Sequence, residues 1–426
     1  LGARGGGHRL WSGRGAVDAL LVYAAHGLRF LAPLLLYPVL TRRFGVEAFG
    51  LYVAATALAM IVAVVVDYGA SIAGPRDIAS ARETTGPVVG RTLALRAVLV
   101  PPACLIGLGL GLINPVLSGA GDVIGAAVAL GVGQGASLLW FFQGMRDPAA
   151  AALVEVAAAL AAAAVVLATP GLGVGGVLVV QAAGIGLGVV VCAAMMRRRC
   201  RPVWPQAGFV RRGLVEGFPL FVGRAVIMAY TGGGGLVVAA LAGPAQAAVY
   251  GVADRLTAAV GSLLRPLAGL VGPRISTLLS EDAPAAFRTA RWSLAVTPLL
   301  FLAAAAGLYG AAPAVVRLAV GDGFDEAVGV LRILVFVLPL VAASQVLGLQ
   351  LMTPLRMDGR LALMVGIGGV ATLAPALLLV PVFGATGMGW ARILGEAVVV
   401  GACLACLRPY WRALFPAGGG RDVPAV

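Results

Sequence analysis

Lysine is missing from this chain, and charge of either sign is scarce. All 31 basic residues are arginine, acids number 18, and charged residues fill 12 % of the 426 positions. An ordinary soluble domain carries about 25 %, so a water-soluble globule is excluded. Histidine occurs twice and cysteine five times. His8 lies in an amino-terminal tail and His26 in the first apolar run, which excludes a histidine metal site. Cys403 and Cys406 form a CxxC inside the last apolar run, without histidine or acidic neighbours. With Cys104, Cys192 and Cys200 they read as small apolar helix residues rather than a redox or metal motif. No GxxxxGK[ST] segment occurs, so a P-loop ATP site is absent from the sequence. Absent lysine beside 61 glycines reads as coding bias, with no mechanistic weight.

What is abundant is apolar length. Hydrophobic residues make up 60 % of the chain. Crossing ~30 Å of hydrocarbon takes about 20 apolar residues as a helix, and lipid admits only helices or closed barrels. The runs are too long and too continuously apolar for barrel strands. Twelve spans are expected, at 16–40, 50–73, 92–113, 123–145, 149–168, 174–196, 214–241, 247–272, 292–312, 329–351, 361–380 and 388–407. The fold class is therefore an all-α polytopic membrane protein of about twelve transmembrane helices in two six-helix bundles. No connection is long enough for a soluble catalytic domain, so a transporter is expected and not an enzyme.

The net charge of +13 would suggest nucleic acid in a soluble protein. Here its distribution follows the positive-inside rule. With the amino terminus cytoplasmic, 21 arginines fall in cytoplasmic segments and only Arg42, Arg43 and Arg317 on the other side. Both termini then face the cytoplasm, and no nucleic-acid partner is implied. The organisation read from these runs is a cytoplasmic tail (1–15), a first lobe (16–196), a basic linker (197–213), a second lobe (214–407) and a cytoplasmic tail (408–426).

The lobes resemble one another in register. FGVEAFGLY (44–52) overlays AGPAQAAVY (242–250), pairing Gly45 with Gly243 and Tyr52 with Tyr250. The same offset of 198 positions pairs Pro75–Arg76 with Pro273–Arg274. An internal duplication of six-span halves makes them parallel repeats about an axis along the membrane normal. That is the arrangement of alternating-access carriers.

Charge inside such a protein is costly, ~2.5–3.5 kcal/mol for a group at mid-bilayer on insertion scales, so each intramembrane ion is a functional candidate. Counting ~1.5 Å per residue places Arg29 and Arg224 near mid-depth. Arg255 and Arg265 lie on the eighth helix, whereas Arg96, Arg332 and Arg392 lie nearer helix ends, within snorkelling reach. Arg392 and Glu396 have ion-pair spacing, and Asp254 is expected to neutralise a basic neighbour. Arg29 and Arg224 have no acid within a turn in sequence. Guanidinium groups lining one cleft favour an anion, and their planar forks suit phosphate oxygens. A negative cell interior drives each negative charge outward by ~2.3 kcal/mol per 100 mV. Gly232, Gly233, Gly234 and Gly235 interrupt the seventh span and are expected to act as a hinge, each weakening a helix by ~1 kcal/mol relative to alanine.

APLLLYPVLTRRFGVEAFGLY (32–52) with VVVDYGASIAGPRDIA (64–79) resembles the opening of polysaccharide biosynthesis membrane proteins. These are the O-antigen and repeat-unit flippases of the multidrug/oligosaccharidyl-lipid/polysaccharide exporter superfamily. GFPLFVGR (217–224), VYGVADRLTAAVGSLLRPLAGLVGPRIS (249–276), VGDGFDEAVGVLRIL (320–334) and GATGMGWARILGEAVVV (384–400) continue the likeness. The resemblance implies a two-lobed inner-membrane carrier of polyprenyl-diphosphate-linked oligosaccharides. Its cationic cavity accepts diphosphate and sugars, a role that Arg29, Arg224 and Arg255 fit best. No cofactor is implied. The partners it raises are the lipid-linked oligosaccharide, membrane lipids, and a polysaccharide polymerase with a chain-length regulator. The main rival is a cation-coupled multidrug extruder of the same superfamily. A lipid II flippase would bring two further helices, and a membrane glycosyltransferase or ligase a large loop or cytosolic domain, neither of which the sequence shows.

Overall fold

The computed structural model describes residues 13–81, 84–205 and 208–415; within these, the side chains of 13–35, 209, 265–270 and 358 lie outside the described set. Every described element is helical. The first part of the chain contains α1 (Gly13–Asp67), α2 (Ala70–Ala81), α3 (Thr85–Ile113), α4 (Gly121–Gly135), α5 (Leu139–Gly144), α6 (Pro148–Ala168) and α7 (Val174–Arg199). Then follow α8 (Phe209–Thr231), α9 (Gly234–Gly261), α10 (Leu264–Glu281), α11 (Ala283–Val320), α12 (Asp325–Leu334) and α13 (Val337–Gln345). A π-helical turn (Val346–Met352) leads to α14 (Asp358–Cys406) and the short α15 (Trp411–Leu414).

Among the described residues, nine stretches are long and apolar enough to cross a membrane. Gly359–Cys406 takes in nearly all of two expected spans, whereas the expected eighth span, 247–272, is broken after Gly261, which puts Arg265 on α10 rather than on the helix of Arg255. The expected first span, 16–40, falls within α1. Neighbouring spans are joined almost without loops because single glycines take backbone angles closed to other residues. Gly45 bends α1 at φ 71° and ψ −178°, and Gly243 bends α9 at φ 84° and ψ 178°. These are the two glycines that the 198-residue offset pairs, so the correspondence extends from sequence to backbone. Pro75 and Pro273 likewise each sit inside the short helix that follows, α2 and α10. Gly384 (φ 57°) bends α14 in the same manner.

The chain divides into two compact units: Leu1–Leu36, Leu58–Ile113 and Leu117–Arg224 form the first, and Tyr37–Ala57, Asn114–Val116 and Ala225–Val426 the second. This differs from the division at 197–213. The segment around Gly45 belongs with the second unit, and the linker and most of α8 belong with the first. Hydropathy sees where helices end, not which helices they pack against.

Lipid is as apolar as leucine, so close packing rather than the hydrophobic effect holds spans together. In the first unit, small residues admit large ones. A β-carbon at Gly74 would lie 2.4 Å from Trp140, at Gly144 2.5 Å from Ile78, and at Gly131 2.4 Å from the Ala59 carbonyl oxygen. Ile78, Trp140, Phe141, Phe142, Cys192 and Met196 fill the core there. In the second unit, Ile275, Phe287, Leu347, Leu351, Met352 and Cys403 do the same. Leu105, Ile113, Leu318 and Leu378 stay largely exposed, as hydrocarbon-facing positions should.

Candidate functional site

The first unit builds a charge cluster around Asp67, the last residue of α1. The helix stops there because Tyr68 (φ 44°) and Gly69 (φ 80°) turn left-handed before α2 resumes at Ala70. The break lies inside a 46-residue apolar stretch, Leu36–Ala81. Asp67 is 7 % exposed. It accepts hydrogen bonds from Arg96 Nη2 at 2.7 Å and from the Ser71 hydroxyl at 2.7 Å. The Ser71 backbone amide donates at 3.2 Å. Arg224 Nε approaches its other oxygen at 3.6 Å. One carboxylate thus serves two guanidinium groups, and a second acid, Glu155, accepts from the hydroxyl of Ser137 beside Arg96.

The two arginines are held differently. Arg96 is 5 % exposed, donates to the Ser137 carbonyl at 2.8 Å, and lies over the Trp140 ring at 5.7 Å. It does not snorkel as its position near a helix end suggested; Asp67 compensates it in place. Arg224 keeps 35 % of its side chain exposed. Its contact with the acid is an ion pair of 3.6 Å rather than a hydrogen bond, so it is held more loosely than Arg96. The Nε atoms of both arginines are buried without a hydrogen-bond partner.

The second unit builds a different cluster. Arg392 on α14 closes on Asp254 of α9 and donates to the Tyr250 hydroxyl at 3.4 Å. Glu396, one turn beyond Arg392, is 5 % exposed and accepts from the Ser344 hydroxyl at 3.4 Å. The tight partner of Arg392 is therefore Asp254, 138 residues away in sequence, rather than the i+4 glutamate. Arg255 lies within electrostatic reach of Tyr37 and Asp254. The side chains of Arg29 and Arg265 lie outside the described residues.

The four glycines divide in role. Gly232 and Gly233 form the non-helical turn between α8 and α9. Gly234 and Gly235 begin α9, where added β-carbons would lie 2.6 Å from the Tyr250 hydroxyl and 2.9 Å from Val53. An open groove of about 530 Å³ runs along the second unit past Glu47, Leu51, Pro115, Ala239 and Pro244. It contains none of the arginines, and its lining offers little to grip a large anion. Charge geometry, not groove size, marks the candidate site. No group of three or more potential metal ligands occurs among the described residues.

Tyr68, Phe221 and the role of Asp67 escaped sequence reading, because the partners lie on helices far apart in the chain. The only available signal for Asp67 was an acid bordering an unbroken apolar run.

The family model described as polysaccharide biosynthesis protein matches residues 17–279, more than half of the chain. The chain belongs to the polysaccharide biosynthesis protein family. Within that family it is similar to an Escherichia coli (strain K12) protein provisionally named O-antigen transporter. The two are 25 % identical over 343 residues, covering 79 % of this chain and 82 % of the relative. Among solved structures, the lipid II flippase MurJ in an inward closed conformation superposes with a TM-score of 0.75. That match has 11 % identity over 92 % of this chain and 87 % of the flippase. An inward-facing multidrug resistance transporter of the MATE family, from the MOP superfamily, gives 0.63 at 16 % identity over 93 % and 96 % of the two chains. At such identities the structural likeness is one of fold. This polysaccharide biosynthesis family member is a helical, multi-pass membrane protein with the fold of those transporters.

Proposed function

We propose that this protein moves polyprenyl-diphosphate-linked oligosaccharides from the cytoplasmic to the outer leaflet of a bacterial inner membrane by alternating access, for cell-surface polysaccharide assembly. Twelve crossings, both termini in the cytoplasm and two six-helix lobes related along the membrane normal belong to the same proposal. The observation that carries it is Arg224. Asp67 is shared between Arg224 and Arg96, and Arg224 alone of that trio stays partly exposed, at the longer distance of 3.6 Å. A guanidinium in that state favours a diphosphate, through paired N–H···O bonds. Arg29 is assigned to the same cationic lining, and Gly232 and Gly233, the turn between α8 and α9, supply the hinge. The membrane potential provides the outward bias without nucleotide hydrolysis. A polymerase and a chain-length regulator are the downstream partners.

A cation-coupled multidrug extruder is the second reading. The deeply buried Glu396, with one long hydrogen bond from Ser344, favours it. Complementation of a deletion strain separates the two. Arg224→Ala and Arg29→Ala abolish surface glycan at unchanged protein level, and the deletion leaves drug sensitivity unaltered. Full glycan display in both variants, or raised drug resistance on overexpression with no glycan defect on deletion, would overturn the flippase reading.

A further inference from the structure

Next to the Asp67–Arg224 pair lies a second contact between the same two segments. Tyr68, the residue after Asp67, stacks on Phe221, one helical turn before Arg224. Their ring centroids are 4.7 Å apart and the planes are 14° from parallel. The Tyr68 hydroxyl donates to the Leu214 carbonyl at 3.1 Å, and Gly217 lets that ring lie against α8, with a β-carbon there 3.0 Å from it. Phe218, a turn before Phe221, adds a third ring, 6.5 Å from Phe221 and tilted 43°. Phe218 is 56 % exposed, while Tyr68 is 9 % exposed.

Three features set this ring cluster apart from ordinary core. Tyr68 sits at φ 44°, a left-handed conformation that a bulky residue adopts only under compensation, and such strain gathers at working sites. Its hydroxyl and ring are both engaged, which supplies the compensation. The cluster borders the least engaged arginine of the charge cluster rather than a sealed interior. Residues three apart on a helix are surface neighbours, so Phe218, Phe221 and Arg224 form one slanting stripe on α8, rings first and guanidinium last.

We infer that Phe218 and Phe221, backed by Tyr68, form a sugar-stacking platform beside Arg224. The first sugar of the lipid-linked glycan lies on the rings while its diphosphate reaches the guanidinium. The apolar C–H face of a pyranose and an aromatic ring bury one another, and neither needs a hydrogen bond to do so. Such a platform takes many different sugars, whereas the diphosphate is common to all of them. This division of labour rests on the flippase reading: Arg224 reads the carrier and the rings read the cargo.

The test is binding to the full chain in lipid nanodiscs. One probe is the lipid-linked oligosaccharide that accumulates in a strain lacking this protein; the other is the same lipid stripped of its glycan to the bare polyprenyl diphosphate. Phe218→Leu and Phe221→Leu weaken the glycan-bearing lipid about tenfold, the scale of one lost aromatic contact, and leave the bare diphosphate within about twofold. Phe221→Trp, which keeps a stacking face, restores the glycan-bearing lipid. Arg224→Gln weakens both probes alike. Equal losses for both lipids in the two leucine variants would mean that the rings only support the fold, and unchanged affinity for the glycan-bearing lipid would mean that they touch no sugar; either overturns the platform while leaving the flippase reading intact. Wild-type protein that binds neither lipid overturns both.

Discussion

The two charge clusters use the same components to different ends. Around Asp67, one acid stands against two arginines, and the second arginine reaches it only at 3.6 Å with a third of its side chain exposed. Around Asp254, one acid meets one arginine in tight contact, the side chains are 22 % and 11 % exposed, and a tyrosine hydroxyl caps the pair. The second arrangement is closed and close to neutral. The first is open, with its second arginine loosely held. On the flippase reading proposed above, an anion engages the open kind, whose second guanidinium the acid holds only loosely. The closed kind serves a different need, fixing α14 to α9 within the second unit.

The sharpest way to break this comparison is to remove the shared acid. Asp67→Asn strands Arg96 in a buried site, and losing one partner of a buried pair costs about 3–5 kcal/mol. Thermal unfolding in detergent should show the largest midpoint drop of any variant considered. A drop no greater than that of Arg224→Gln would mean that Asp67 is not the keystone of its cluster.

Arg392→Met comes next. Its partner is less buried than Asp67, so the expected loss is about 2–3 kcal/mol, below the range for fully sealed pairs. Adding Asp254→Asn to the same protein should return most of it, to within about 1 kcal/mol of wild type, since the penalty lies in the orphaned charge rather than in a lost attraction. Non-recovery would assign Asp254 a role outside the pair.

Arg224→Gln should perturb folding least, by no more than about 1 kcal/mol, as expected for a long, partly exposed ion pair. Its effect should appear in glycan export instead. A variant that unfolds as readily as Asp67→Asn would erase the distinction between the open cluster and the closed one.

How much of this was legible in the sequence follows from the range of each interaction. The helical class and the lipid-facing leucines are written in local hydropathy. Gly45 and Gly243 were legible as a pair because a backbone that needs positive φ selects glycine at the position itself. The partner of Arg392 was not. Helical spacing pointed to Glu396, yet the tight contact comes from Asp254, which only the packing of α9 on α14 brings close. Arg96 shows the same limit: near a helix end in sequence, it is sealed in the fold by an acid 29 positions away. Arg224 was legible as a charge deep in an apolar run, but its looseness and its neighbour Phe221 depend on where α1 breaks.

The bends at Gly45 and Gly243 carry a practical consequence. A connection compressed into a single residue leaves no slack outside the bilayer: nothing there for a protease to thread through its cleft, and no room for an inserted epitope. Cleavage and tolerated insertions concentrate in slack, exposed segments, so labels meant to follow this protein at work belong in the non-helical stretch 169–173, where β-carbons added at Gly171 and Gly173 would meet nothing, rather than at either bend.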